Sequence, residues 1–292
     1  MVQIRKKRPS TKNRKPLFVL MIPRFEDFGN SLFAGEITKG INLAANRLGV
    51  DVLVTFCDRK DHSQWLMPTL LDPYFVDGII FADIDRDWGV VRQAISNAIP
   101  AIVLNNATPE PYNCISIDNR SAARDVVKYL HGLGHRRIAH IAGNLETQAG
   151  FDRLEGYYEG LAVAGIERDK HLVKKGGFLR TPARTAAMSL LKMQDRPSAI
   201  FAASDLMALE VVACAGELGF SVPGNLSVIG FDNNLTTMHS PVHLTTVEQP
   251  LMDMARVGLE NLYQISLGLA KLPVKTVMQA KLVKGRTASS VK

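Results

Sequence analysis

Apolar residues fall in short, nearly unbroken blocks: LFVLMI at 17–22, VDVLVTF at 50–56, DGIIFA at 77–82 and AIVLN at 101–105. A strand that is apolar at successive positions has no solvent face, so these blocks predict a parallel sheet covered by helices on both sides. The stretches between them have helical periodicity. Ile37, Ile41, Ala44 and Leu48 mark one buried stripe, closed by Gly49, and further helices are expected around Trp65 to Leu71 and Trp88 to Ala98.

The rhythm then repeats. CISID (114–118) precedes a helix whose apolar face is Ala122, Ala123, Val126, Val127 and Leu130, and RIAHIAG (137–143) is followed by a helix from Phe151 to Val163. LVKKG, a helix around Ala183 to Met193, AIFAA (199–203), a helix from Leu206 to Leu218 and LSVIGFD (226–232) complete the second set. A single open sheet of all these strands tends to split, so two Rossmann-like lobes are expected. After Thr246 come one more helix, from 251 to about 267, and a strand pair near 276–284, so the chain returns between lobes and leaves a cleft at the hinge.

Charge changes the picture at one end only. Lys and Arg number 35 against 28 Asp and Glu, and seven of the cations (Arg5, Lys6, Lys7, Arg8, Lys12, Arg14 and Lys15) lie in the first sixteen residues, leaving a neutral body. Attraction for a polyanion is therefore confined to a cationic tail. The first apolar run is too short for a signal-peptide core or a membrane span, and Cys57, Cys114 and Cys214 read as buried thiols of a cytoplasmic protein.

Catalytic and metal signatures are missing: there is no G-x-S-x-G, H-E-x-x-H, paired-cysteine or phosphate-loop pattern. His131 and His135 end a helix and read as capping or surface groups, and DIDRDWG from Asp83 departs from a calcium loop at its glycine and at position twelve. The first β-α turn, PRFEDFGNS, lacks dinucleotide-binding glycines. Polar residues nevertheless gather after the strands: Asn30, Asn105, Arg153, Ser204, Asp232 and Gln249, with Phe33 beside Asn30 as an aromatic that could stack on an apolar ring face. Ligands of open α/β sheets sit at such strand ends, and neutral amides with one arginine and a carboxylate suit a polyhydroxylated molecule.

The segments DGIIFA, IPAIVLNN, SIDNRSAARDVVKYLHGLGHRRIAHIAG, RLEGYYEGL, PSAIFAASDLMAL, LSVIGFDN and LTTVEQP resemble, in order and spacing, the effector-binding domain of the lactose repressor and galactose repressor family of bacterial transcriptional regulators. The resemblance implies an α/β, periplasmic-binding-protein-like type I fold with two Rossmann-like lobes, a ligand cleft and three crossovers. Carried onto this chain, residues 1–16 are a flexible basic tail, 17–117 and 246–276 the N-terminal lobe, 118–245 and 277–287 the C-terminal lobe, and 288–292 a second tail. It further implies no cofactor, a cytoplasmic homodimer or tetramer, no membrane, and a sugar-like small-molecule effector held by Asn30, Phe33, Asn105, Arg153, Ser204, Asp232 and Gln249. Asn105 stands where the family commonly has aspartate, and Ser204 where it has asparagine, which loosens the tie to any particular sugar. Where the family carries a helix-turn-helix, this chain has the sixteen-residue tail, from which at most weak, non-specific contact with DNA phosphates is expected through its seven cations. A sensor domain of a regulator is the first reading. A freestanding metabolite-binding protein or co-regulator, and an enzyme acting on a sugar or nucleoside, are its alternatives.

Overall fold

The computed structural model describes residues 14–23, 32–57, 67–82, 84, 89–108, 111–233 and 242–291. In chain order the first elements are β1 (Leu17–Pro23), α1 (Leu32–Leu48), β2 (Asp51–Cys57), β3 (Gly78–Ala82), α2 (Gly89–Ser96), β4 (Ala101–Leu104) and β5 (Asn113–Ile117). Next come α3 (Asn119–Gly132), β6 (Ile138–Ala142), α4 (Gln148–Val163), β7 (Val173–Lys175), α5 (Arg180–Leu191), β8 (Ala199–Ala202), α6 (Asp205–Glu217) and β9 (Ser227–Ile229). The chain closes with β10 (Thr246–Glu248), α7 (Leu251–Leu267), β11 (Lys275–Met278) and β12 (Lys281–Val283).

Two parallel sheets result. One is ordered β2-β1-β3-β4-β5-β11, the other β7-β6-β8-β9, and β10 and β12 form an antiparallel pair joined to β9 through bridges at Ile229–Thr245 and Asp232–Glu248. The unbroken apolar blocks are explained by two-sided burial. Val19, Met21, Ile79, Phe81 and Val103 face Val90, Val91 and Ala94 of α2. Their alternate neighbours Phe18, Leu20, Ile80, Ile102 and Leu104 face α1 and α7. In the second lobe, Ala139, Ile141, Ile200 and Val228 lie under α5 and α6, while Ile138, Phe201 and Ile229 join α3 and α4 in the cluster that also holds the α1 and α7 contacts. One apolar body therefore runs through both lobes.

The helices pair closely where glycine removes a side chain. A Cβ at Gly40 would strike the carbonyl of Met252, and one at Gly156 the carbonyl of Arg120, so α1 lies directly on α7 and α4 on α3.

Several expectations need correction. The last two strands do not pair with each other: Val277 and Met278 pair with Ser116 and Ile117 in the first sheet, whereas Lys281–Val283 pairs with β10. The first-lobe return therefore begins after β10 rather than at 246, and extends through 278. Residues 288–291 are not a tail, since Val291 donates its N–H to the Leu133 carbonyl and Ser289 joins the His135 network described below. The helix expected over 65–71 is, in its described part, a 3-10 turn at Pro68–Leu71; Pro68 stands at its start. All three cysteines are free and buried, and among the described residues no helix is long and apolar enough to cross a membrane.

Candidate ligand-binding site

Arg153 is carried by α4, whose start is set by Thr147: its Oγ1 accepts the N–H of Gly150 at 3.0 Å. The Arg153 side chain is only 3% exposed. Its Nε donates to Asn119 Oδ1 at 2.9 Å, Nη1 donates to the Ala203 carbonyl at 2.7 Å, and the guanidinium stacks 3.7 Å above the Phe231 ring. A buried arginine survives only with such partners, because desolvation of an unpaired cation is costly.

Its charge partner is Asp232, 3.7 Å from Nη1. Asp232 has φ 137° and Asn233 φ 51°, a left-handed-side turn that L residues rarely adopt. Hydrogen bonds hold it in place. The Asp232 N–H donates to the Val247 carbonyl at 2.7 Å, Gln249 Nε2 donates to Asp232 Oδ1 at 2.6 Å, and the Asn233 N–H donates to Asp205 Oδ2 at 2.9 Å. Asp205 is fully buried at the start of α6 and also accepts from Thr246 Oγ1. Burial pushes the Asp232 carboxyl up to about 7; Arg153 pulls against that shift and the Asp205 carboxylate adds to it.

Gln249 adds an amide beside this pair, and Asn105 supplies another directly after β4 in the first lobe. Asn105 ends β4 in the left-handed region at φ 64°, which asparagine tolerates better than most residues. The Asn105 N–H donates to the Ile115 carbonyl at 2.9 Å, while Asn105 Oδ1 and Gln249 Oε1 are buried atoms without a hydrogen-bond partner. Both are acceptors.

The other expected contacts vary. Ser204 caps α6, its Oγ accepting the Met207 N–H at 3.3 Å, which leaves the hydroxyl proton to be donated. Phe33 is half-buried near the start of α1 and packs against the core cluster. Asn30 and the cations Arg5, Lys6, Lys7, Arg8 and Lys12 lie outside the described residues. Arg14 does not fit a phosphate-binding role. Its Nη1 pairs with Asp77 Oδ2 at 3.0 Å and its Nη2 donates to the Tyr74 carbonyl at 3.0 Å, so it belongs to the fold of the first lobe. Lys15 stands 3.7 Å from Asp51 with both side chains well exposed.

Sequence reasoning missed Asn119 and Phe178. Asn119 was hidden inside a helix start, where an asparagine reads as a capping residue. Phe178 has φ 65° directly after Gly177 at φ 64°, and its ring lies over Gly143 and 5.8 Å from the Arg153 guanidinium. Phe178 is half-buried and packs against the second-lobe core, and the two glycines before it are the only sequence sign of the turn that places it there. His135 is not a surface group either. It is buried, with Nδ1 2.9 Å from Ser198 Oγ and Nε2 2.9 Å from Ser227 Oγ and 3.1 Å from the Ser289 carbonyl. Among the described residues, no group of His, Cys, Asp and Glu could hold a metal ion.

Two parallel-sheet lobes, chain crossovers between them and a partly buried ion pair beside those crossovers define a periplasmic-binding-protein-like sensor. The model of the periplasmic binding protein-like domain matches residues 127–288, more than half of the chain. The HTH-type transcriptional repressor CytR of Escherichia coli K12 is 33% identical over 228 residues, covering 78% of this chain and 67% of the relative. The HTH-type transcriptional regulator DegA of Bacillus subtilis is 30% identical, covering 94% and 81%. Among solved structures, a transcriptional regulator CelR–cellobiose complex superposes with TM-score 0.85 at 27% identity, covering 94% of this chain and 85% of that one. The chain belongs to the lactose repressor and galactose repressor family of transcriptional regulators, and is a ligand-sensing regulatory protein rather than an enzyme.

Proposed function

We propose that the cleft beside Arg153 and Asp232 receives a neutral, polyhydroxylated small molecule, a sugar or sugar derivative, and that its binding draws the two lobes together. The observation that carries this reading is the acceptor excess of the site. Asn105 Oδ1 and Gln249 Oε1 have no partner, Asp232 offers carboxylate oxygens, and a buried acceptor left unpaired costs about 1–3 kcal/mol. A ligand that relieves this cost must bring donors, and vicinal hydroxyls do so without charge. Arg153 is already engaged by Asn119, the Ala203 carbonyl and Asp232, which disfavours a multiply phosphorylated ligand. The cellobiose bound by the similar regulator is a molecule of this class. Arg153 donates to ligand oxygens, Asp232 accepts from hydroxyls, and Phe178 supplies an apolar face for a ring.

DNA contact, on this reading, is weak and sequence-blind through the basic residues before Arg14. Titration calorimetry on the full chain with cellobiose, a nucleoside and glucose 6-phosphate tests the ligand class. Heat from a neutral polyol and none from the phosphate ester is expected. Asp232→Asn should weaken the polyol by about 10- to 100-fold, the loss of a charge-assisted hydrogen bond. Binding of the phosphate ester alone would overturn the assignment.

A further inference from the structure

The two charged residues of the site are each fastened to a different joint between the lobes. Ile117 ends β5 in the first sheet, and Asn119 begins α3, which packs on α4 in the second lobe, so the first crossover is only Asp118 long. The second crossover is equally short. Glu248 ends β10 against β12, and Leu251 begins α7, which packs on α1 in the first lobe, leaving Gln249 and Pro250 between them. Arg153 grips the first joint through its 2.9 Å bond to Asn119 Oδ1. Asp232 grips the second twice, accepting from Gln249 Nε2 at 2.6 Å on its carboxylate and from the Gln249 N–H at 3.3 Å on its carbonyl.

Three of these groups are shielded from bulk water, Asn119 being 2% exposed, Arg153 3% and Gln249 8%, while Asp232 is half-buried. Charge-assisted bonds in such surroundings are strong and directional, and a side chain packed this tightly passes displacement to its partner instead of absorbing it. The separation of Arg153 and Asp232, 3.7 Å, is longer than a good ion-pair hydrogen bond. A ligand oxygen that engages both groups must therefore change their spacing or orientation, and each change is applied within two residues of a crossover.

We propose that Asn119 and Gln249 are positioning residues that transmit the state of the Arg153–Asp232 pair to the first and second crossovers, setting the angle between the lobes. The proposal rests on the reading of the cleft as an effector site for its purpose, while its geometry is testable without any ligand. It assigns Gln249 a role through Asp232, besides any contact with ligand, and gives Asn119 a role that capping does not require, because the α3 cap is supplied by Asp118 Oδ1 accepting from the Ser121 N–H.

The test is a pulsed electron resonance measurement of the distance between spin labels in the two lobes of the full chain. Asn42→Cys on α1 and Ser189→Cys on α5 are exposed attachment points, and the three native cysteines are buried from the reagent. Dilution with unlabelled protein keeps the measured distances within one protomer. The parent protein is expected to give one narrow distance peak. Asn119→Ala and Gln249→Leu should each lose it. Asn119→Asp, which keeps the oxygen that accepts from Arg153, should restore the narrow peak, whereas Gln249→Glu, which keeps the shape but not the donor, should not. Should the alanine or leucine variant fail to fold, the Asp and Glu variants decide alone. A narrow parental peak in Gln249→Glu, or an Asn119→Asp distribution as broad as that of a released joint, would overturn the proposal. Cellobiose calorimetry on the unlabelled protein is read separately: silence there counts against the ligand class and leaves the distance result standing.

Discussion

His140 shows how a single residue in this fold reports on its surroundings. It is wholly buried on β6, stacked at 5.0 Å on Tyr157 and 4.7 Å from Phe201, and its Nδ1–H donates to the Phe201 carbonyl at 2.9 Å. Burial lowers it to about 3 from an ordinary 6.5, and the nearby Arg153 cation lowers it further against the help of the carbonyl. A folded-state value below the unfolded one means that the unfolded chain takes up the proton first. The contribution of neutral His140 is therefore complete above pH 6.5 and is lost as pH falls from there toward about 3. His135 is depressed by burial as well and acts in the same direction, so the two must be separated by substitution. His140→Phe should cost about 1 kcal/mol at pH 7, by removing the ring's hydrogen bond to the Phe201 carbonyl, and should flatten the loss of melting temperature between pH 6.5 and 4.5. Melting curves at both pH values check this, and an unchanged slope would show that other groups set the acid limit. Little of this was legible beforehand. RIAHIAG fixes His140 on a buried strand by its apolar neighbours, but no sequence pattern reveals which carbonyl it meets. The same is true of Asn119, whose partner Arg153 is 34 positions away.

At the scale of elements, the sequence was most readable where burial is two-sided. The blocks that became β1, β3, β4, β6 and β8 have no polar alternation to confuse their period, and each lies within a few residues of its expected place. It was least readable where short strands change sheets. β10, β11 and β12 have three or four residues each, and their local pattern cannot say which sheet they complete; that choice is made by the crossovers and by neighbours more than a hundred residues distant, such as Cys114 and Ile117 for β11. Helix contacts lie between these limits. RLEGYYEGL shows two glycines at helical spacing, Gly156 and Gly160, and the structure turns them toward Arg120 and Val127 of α3. A side chain at Gly156 must push the two helices apart. Gly156→Val is expected to destabilise the protein by about 3 kcal/mol, while the same change at Gly132, which faces open space, should cost no more than about 1 kcal/mol. Chemical denaturation of both variants measures the contrast, and equal losses would remove the close helix contact as the cause.

For the whole molecule, composition misleads unless it is read by position. A net charge of +7 suggests a surface made for nucleic acid, yet residues beyond the first sixteen carry 28 cations and 28 anions. With Arg14 committed to Asp77, the affinity for duplex DNA expected of this chain comes from Arg5, Lys6, Lys7, Arg8 and Lys12, together with exposed Lys15. Fluorescence anisotropy on the promoter beside its own gene and on an unrelated duplex should give equal, weak binding, with a slope of log K against log salt of about −5. Removal of residues 1–13 takes away five of the six cations and should reduce that slope to about −1. A steep slope that persists in the shortened chain would place the DNA surface on the lobes.

The first residues of the described chain are also its mooring. Asp77 receives the Leu17 N–H at 2.8 Å and the Arg14 guanidinium at 3.0 Å, while the Asp77 N–H donates to the Leu17 carbonyl at 2.8 Å. Residues 14–17 are therefore fastened to the first lobe at a fixed point, beside the exposed rings of Tyr74 and Phe75. Any rotation of that lobe carries this anchor with it, so the Arg14–Asp77 pair turns as part of the lobe and not as a hinge of its own.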